Sequence, residues 1–284
     1  MNETLFTRRN FLRGVAAAGL VTVSATAAYA ELVEPHRYEL TETDVFIRGL
    51  PESFDGFRIT QVSDVHHSTL VSIEDVRRVV KLAQSTKPDA FVLTGDYSTA
   101  RRRFIEPCAE ALAQLSAPEG VWAVLGNHDQ NTDPQLTIRA LERAHINVIE
   151  NRNTRLRRGG DELQLAGVGD WSWAADDWTR ALAGINQKQP TILLSHQPHA
   201  LDLPQAANLS LILSGHTHGG QISLPFIGSP VQLAYRFRYL SGLYQRGGGA
   251  QLYVSRGTGM IGVPFRIGAP PEIAVLRLRR AKES

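Results

Sequence analysis

Cysteine is nearly absent: the 284 residues hold one, Cys108. No intrachain disulfide can form, and no cysteine-based zinc site is available. Any metal site must draw on His, Asp, Asn or Glu. Excess charge is also lacking. The formal net charge is +2, from 30 basic and 28 acidic residues. Residues 1–30 account for that excess with Arg8, Arg9 and Arg13 against Glu3, leaving 27 of each sign in the remainder. A chain so balanced is not steered to polyanions. No aromatic-rich basic tract points to nucleic acid, and none is expected as a partner. Internal repeats and low-complexity segments are missing too. What is present, 43% hydrophobic and 20% charged residues, is the profile of a soluble globular protein. About 250 residues after the leader suffice for one large domain with a closed core.

The first thirty residues read as an address. Thr7-Arg8-Arg9-Asn10-Phe11-Leu12-Arg13 is followed by a mildly apolar run from Val15 to Ala28 and by Ala28-Tyr29-Ala30, a small-x-small pattern. This order resembles a twin-arginine (Tat) export signal. The competing reading is an amphipathic N-terminal helix or a signal anchor; the run is short and weakly apolar for a bilayer span. The resemblance implies a signal over 1–30, one domain over 31–284, the Tat machinery as a partner, and a periplasmic or envelope-associated product. Tat substrates fold, often with metal inserted, before they cross.

Along the rest of the chain, strand and helix patterns alternate. Glu39 to Ile47 suits an edge strand, and Phe57 to Val62 a buried one. Ser72 can cap a helix to about Thr86, with Glu74 and Asp75 in its first turn. Further strands are expected at Ala90–Leu93, Val121–Leu125, Leu163–Val168, Thr191–Leu194, Leu209–Leu213, Leu252–Ser255 and Glu272–Leu278. Helices are expected at Glu106–Leu115, Asp133–Ala144 and Asp176–Asn186. Continuous apolar strands separated by helices indicate sheets covered by helices.

At five places a buried strand ends and polar residues follow at once. They are Asp64-Val65-His66, Gly95-Asp96, Gly126-Asn127-His128-Asp129, Ser195-His196 and Gly215-His216-Thr217-His218. In such folds the carboxyl ends of strands share one crevice. The two-residue spacing of Asp64 and His66 returns both side chains to one side if the segment is extended, and the same holds for His216 and His218. Each piece alone is weak, because Gly126 and Gly215 could be simple turn residues. All five in order are specific.

Together they resemble the calcineurin-like metallophosphoesterase superfamily, over nearly all of residues 57–278. That resemblance implies an α/β fold, a four-layer α/β/β/α sandwich of two mixed sheets flanked by helices. It implies two divalent cations, of Mn, Fe, Zn, Co or Ni, clamping a phosphoryl group. Asp96 would bridge them. Asp64, His66 and His218 would complete one site, and Asn127, His196 and His216 the other. A hydroxide between the metals would attack. His128 would bond the phosphoryl oxygen and protonate the leaving group. Asp129 would accept from the other nitrogen of His128 and fix its tautomer.

Departures within the superfamily narrow the class. Protein phosphatases continue the Gly-Asp motif into Asp-Arg-Gly and follow Asn-His with Glu; here Tyr97, Ser98 and Asp129 stand instead. Purple acid phosphatases carry a tyrosine where Thr99 lies. Gly219-Gly220-Gln221, Tyr253 to Gly257 and Pro264-Phe265-Arg266 resemble the YkuE/YaeI-like branch of exported or membrane-associated phosphodiesterases, some of whose members act on the lipid A path. The implied substrate is a phosphodiester or pyrophosphate of an envelope lipid or the cell wall. The alternatives are a broad extracytoplasmic phosphomonoesterase and a non-catalytic, metal-containing cell-wall binding protein. Leu224 to Gly228 and the alternating Tyr235-Arg236-Phe237-Arg238-Tyr239 could touch a membrane surface or an acyl chain, or form an ordinary strand with one buried aromatic face. His36 and His145 carry no partner pattern, His67 follows the first motif and suits either the cleft or a polar surface, His199 after Gln197-Pro198 could line the site, and Cys108 suits a core position.

Overall fold

The computed structural model describes residues 8–224, 226–245 and 249–282. Glu3 and Thr7 of the leader and Pro225 of the apolar insert lie outside the described residues. In chain order the elements are α1 (Arg8–Leu32), β1 (Glu39–Ile47), β2 (Arg58–Val62), α2 (Ile73–Ser85), β3 (Ala90–Leu93), α3 (Ile105–Leu112), β4 (Val121–Ala123), α4 (Asn127–Thr132), α5 (Pro134–Arg143) and β5 (Asn147–Val148). Then come β6 (Arg152–Arg158), β7 (Asp161–Gly167), α6 (Trp178–Ala181), β8 (Thr191–Leu194), β9 (Leu211–Ser214), α7 (Pro230–Tyr235), β10 (Gly242–Gln245), β11 (Gln251–Val254) and β12 (Glu272–Arg280).

The strands form two six-stranded sheets. One has the order β1-β12-β2-β3-β4-β5, the other β10-β11-β9-β8-β7-β6. Both are mixed. β2, β3, β4 and β5 run parallel, with β12 antiparallel to β2. In the second sheet β11, β9, β8 and β7 are parallel, and β10 and β6 are antiparallel edges. β1 is an edge strand, as its alternation suggests.

Period-2 side-chain geometry explains the layers. Ile59, Val92, Ile192, Leu194, Leu211, Leu213 and Leu276 point between the sheets and fuse them into one core. Their alternating neighbours face outward. Phe91, Leu93 and Val62 meet Val76, Val79, Val80 of α2 and Leu112 of α3. Leu193 and Ile212 meet Trp178, Ala181 and Leu201. Helix, sheet, sheet and helix make the four layers. Burying one of the larger side chains, such as Phe91, contributes roughly 1.5–3 kcal/mol.

Local signals decide the clean helices. Ser72 and Asp75 form a full capping box at α2, with Asp75 N donating to Ser72 Oγ at 3.2 Å. Asp133 caps α5, whose first residue is Pro134. The expected helix over Asp176–Asn186 shrinks to α6. Gly184 is left-handed, and buried Gln164 bonds both the N–H and the carbonyl of Asn186. Tertiary bonds thus replace the helical ones. The alternating stretch before Leu240 is also not a strand. Ser229 caps α7, Pro230 opens it, and left-handed Arg236 ends it.

Candidate metal centre

The parallel strands deliver the five polar segments to one edge. Asp64 and His66 follow β2, Asp96 follows β3, and Asn127, His128 and Asp129 follow β4. His196 follows β8, and His216 and His218 follow β9. The two sheets are tied together there. Gln61 of β2 donates to the Ser214 carbonyl of β9 at 2.9 Å. The His216 N–H reaches Asp64 Oδ1 at 3.0 Å.

Asp64 and His66 do not reach one side through extended spacing, nor do His216 and His218. Neither segment is extended. Asp64, His66, Asp96, His216 and His218 all have left-handed φ, between 51° and 72°. For non-glycine residues this costs about 1–2 kcal/mol each and clusters at functional sites. Each strand end is kinked so that its side chain turns into the crevice. The glycines serve close approach. A Cβ on Gly126 would run into Asp96 Oδ1, and one on Gly215 into Asp64 Oδ2.

The seven expected ligands converge. His66 Nε2 lies 3.0 Å from His218 Nε2 and 3.5 Å from Asp96 Oδ2. His218 Nε2 lies 3.4 Å from Asp64 Oδ1. On the other side, His196 Nε2 is 3.2 Å from Asp96 Oδ2 and 3.1 Å from Asn127 Oδ1. His216 Nδ1 is 2.9 Å from Asn127 Oδ1. Asp96 Oδ2 therefore touches both groups. These separations match the roughly 3.0–3.4 Å between donors that share one cation with bonds of about 2.0–2.1 Å.

Tautomers explain why a cation fits. His196 Nδ1 donates to the Thr94 carbonyl at 2.7 Å. His66 Nδ1 is hydrogen-bonded to Thr99 Oγ1 at 2.6 Å, a hydroxyl able to accept from it. With a cation bound, neutral rings so held would aim their Nε2 lone pairs at it.

Electrostatics agree. Burial lowers His66 to about 3 and His216 to about 4, and puts His218 well below the usual value, so these rings are neutral. Burial opposes ionisation of Asp96 but is overcome by His196 and His66, which hold it well below the usual range. Conversely, His196 is raised against its burial by Asp96.

Two residues depart from expectation or escaped it. Asp129 does not orient the His128 ring. Its carboxylate takes the N–H groups of Asp96 at 2.7 Å, Tyr97 at 3.0 Å and Gly126 at 3.0 Å. It clamps the loop that carries Asp96. Burial and the Asp96 charge push Asp129 up. His128 itself faces the crevice, half-buried, with its ring 4.9 Å from that of His66 and its N–H on Asp96 Oδ1 at 2.8 Å. Arg266 carries no sequence signal beyond the Pro-Phe-Arg likeness, yet it is fully buried. Its guanidinium donates to the carbonyls of Gly259, Ala269, Arg256 and His218, and Nη2 lies 3.4 Å from His218 Nδ1. His67 is buried, with Nδ1 3.0 Å from the Val71 carbonyl. His199 lies under Trp171, and Cys108 is in the core.

The metal centre forms one wall of a cavity of about 580 Å³. Asp96, Asn127, His128 and His216 line that wall, and Ile222, Val231, Tyr235, Phe237, Ile261 and Val263 add apolar side chains to the lining, with Phe237 against His216.

Comparison with known proteins matches the calcineurin-like phosphoesterase family over residues 57–220. The metallophosphoesterase YkuE of Bacillus subtilis is 35% identical over 279 residues, covering 96% of this chain and 97% of that one. Phosphodiesterase YaeI of Escherichia coli is 28% identical, covering 96% of this chain and 100% of its own. A transmembrane protein with metallophosphoesterase domain from Danio rerio is 30% identical, covering 92% of this chain and 62% of that protein. With its paired donor groups around a shared carboxylate, the chain belongs to the calcineurin-like phosphoesterase family and is a metal-dependent phosphoric ester hydrolase.

Proposed function

We propose that the protein hydrolyses phosphodiester or pyrophosphate bonds of an amphiphilic envelope or cell-wall substrate, outside the cytoplasm. The observation that carries this reading is the mixed lining of the cavity, in which six apolar side chains accompany the donors. A phosphate with one polar and one apolar substituent matches such a lining. The name phosphodiesterase borne by YaeI agrees with a diester. The leader motif around Arg8 and Arg9 supports export.

Residue roles follow from the geometry. Asp64, His66 and His218 would hold one cation, and Asn127, His196 and His216 the other, with Asp96 shared. Bound there, two divalent ions supply Lewis acidity and an activated water. Thr99 and Thr94 keep His66 and His196 in the ligating tautomer. His128, partly open to the cavity, is placed to bond a phosphoryl oxygen and pass a proton to the leaving oxygen. Asp129 holds the Asp96 loop rigid through three backbone bonds.

The test is a ratio of rates. Purified metal-loaded protein should turn over bis-p-nitrophenyl phosphate faster than p-nitrophenyl phosphate. A lipid-linked diphosphate in detergent should surpass both in kcat/KM. A faster monoester reaction, with no gain from the lipid, would replace this reading by a phosphate-scavenging monoesterase.

A further inference from the structure

The leader does not detach cleanly from the fold. α1 runs unbroken from Arg8 to Leu32, so the bond after Ala30 lies inside a helix. The Val33 N–H closes on the Tyr29 carbonyl at 3.0 Å. Ala30 is 2% exposed, and its carbonyl accepts the Arg266 N–H at 3.1 Å. Four residues on, buried Glu34 accepts the Ala269 N–H at 3.0 Å, and Pro35 is buried beside it. The junction is pinned on both sides of the cleavage pattern.

Its partner is the wall of the active site. Arg266 and Ala269 belong to the stretch 259–269. That stretch lines the cavity through Ile261 and Val263 and carries the guanidinium that reaches the His218 carbonyl. It also bonds the cavity's other rim, with the Ser223 N–H on the Ile267 carbonyl at 2.6 Å. Further along the chain Phe226, Ile227, Leu233 and Tyr235 are exposed, and Tyr235 lines the cavity.

Peptidases cut chain that can be drawn out extended, and such sites concentrate in exposed tips and loose termini. The twin-arginine route delivers its cargo already folded, so a processing enzyme would meet Ala30 helical, buried and hydrogen-bonded. We propose that the leader is not removed after Ala30, and that α1 stays as a permanent tether holding the active-site mouth at a lipid surface. The chemistry of α1 names that partner. Between Arg8 and Ala30 it has three arginines and no acid, and Leu12, Val15 and Val21 of its apolar body are exposed. Among the described residues no helix is long and apolar enough to cross a membrane. The partner is a bilayer, where anionic headgroups meet the basic end and apolar side chains enter the lipid.

The experiment has two arms. In the first, the full chain is produced in cells with an intact twin-arginine system, recovered from the envelope fraction, and weighed intact. The Ala28→Leu variant, at an exposed position of α1, serves as a protein that cannot be processed there. Both should have the mass of the uncleaved chain and stay with membranes through a high-salt wash. A wild-type N-terminus at Glu31, or release of the uncut protein by salt, overturns the proposal. In the second, purified full chain is floated with vesicles of phosphatidylcholine and phosphatidylglycerol. Wild type should float, and a Leu12→Ser/Val15→Ser/Val21→Ser variant should not, with hydrolysis of bis-p-nitrophenyl phosphate unchanged. Equal flotation of the two removes α1 as the tether. Loss of the hydrolysis in both would instead count against the catalytic reading and leave the mass result to stand alone.

Discussion

The two walls of the active-site cavity are built on opposite plans. The polar wall is buried, strained and over-determined. Five of its ligands sit in left-handed backbone, and Thr94, Thr99, Asp129 and Arg266 hold His196, His66, the Asp96 loop and His218 in place. The apolar wall is largely open. Tyr235 is exposed, Phe237 leans on His216 and Tyr235, and α7 beneath them is six residues long. Strain is tolerable only where surrounding bonds fix it. The contrast teaches a division of labour in which the rigid wall sets the chemistry and the open one selects what is brought to it.

That division can be broken from the rigid side first. Asp96→Asn removes the shared anionic donor and should cut kcat by on the order of 10³, about 4 kcal/mol of transition-state stabilisation, with bound metal falling in parallel by elemental analysis. Thr99→Val leaves the ligands in place but frees the His66 ring. Metal affinity should drop about 10–100-fold in a chelator competition, while thermal stability changes little. From the open side, Phe237→Ser should raise KM for a lipid-linked substrate by about tenfold, near 1.4 kcal/mol, and leave kcat on bis-p-nitrophenyl phosphate unaltered. An equal loss on both substrates would erase the distinction between the walls.

The smallest effect is a proton. Asp96 raises His196 above an ordinary imidazole. At pH 7.5, where a free imidazole is mostly neutral, His196 in the empty site keeps a proton that the cation must displace. Metal binding should then release about one proton per chain, and affinity should rise with pH through this range. Calorimetry in buffers of different ionisation enthalpy reads the release. A zero value would show His196 already neutral.

Much of this was legible in the sequence. Ser72, Asp133 and the apolar runs before each polar segment are local signals, and they place α2, α5 and the ligand-bearing strands. What was hidden is what depends on distant partners. Arg266 acts through carbonyls up to 48 residues away, and no spacing rule reveals it. Asp129 takes backbone amides from the neighbouring loop instead of the adjacent imidazole, because three N–H groups compensate a buried carboxylate better than one ring. Other local signals are present as well. Ser229-Pro230 marks the start of α7. Gly159-Gly160, both left-handed, turn β6 into β7, and β6 itself lacks apolar periodicity because it is a polar edge strand.

The most direct test of the account is metal counting on protein purified without added chelator, coupled to activity before and after stripping. Two divalent ions per chain are expected, with bis-p-nitrophenyl phosphate hydrolysis vanishing on removal and returning as the second ion is restored. Full activity in the stripped protein, or saturation at a single ion, would contradict a pair of cations gathered around Asp96.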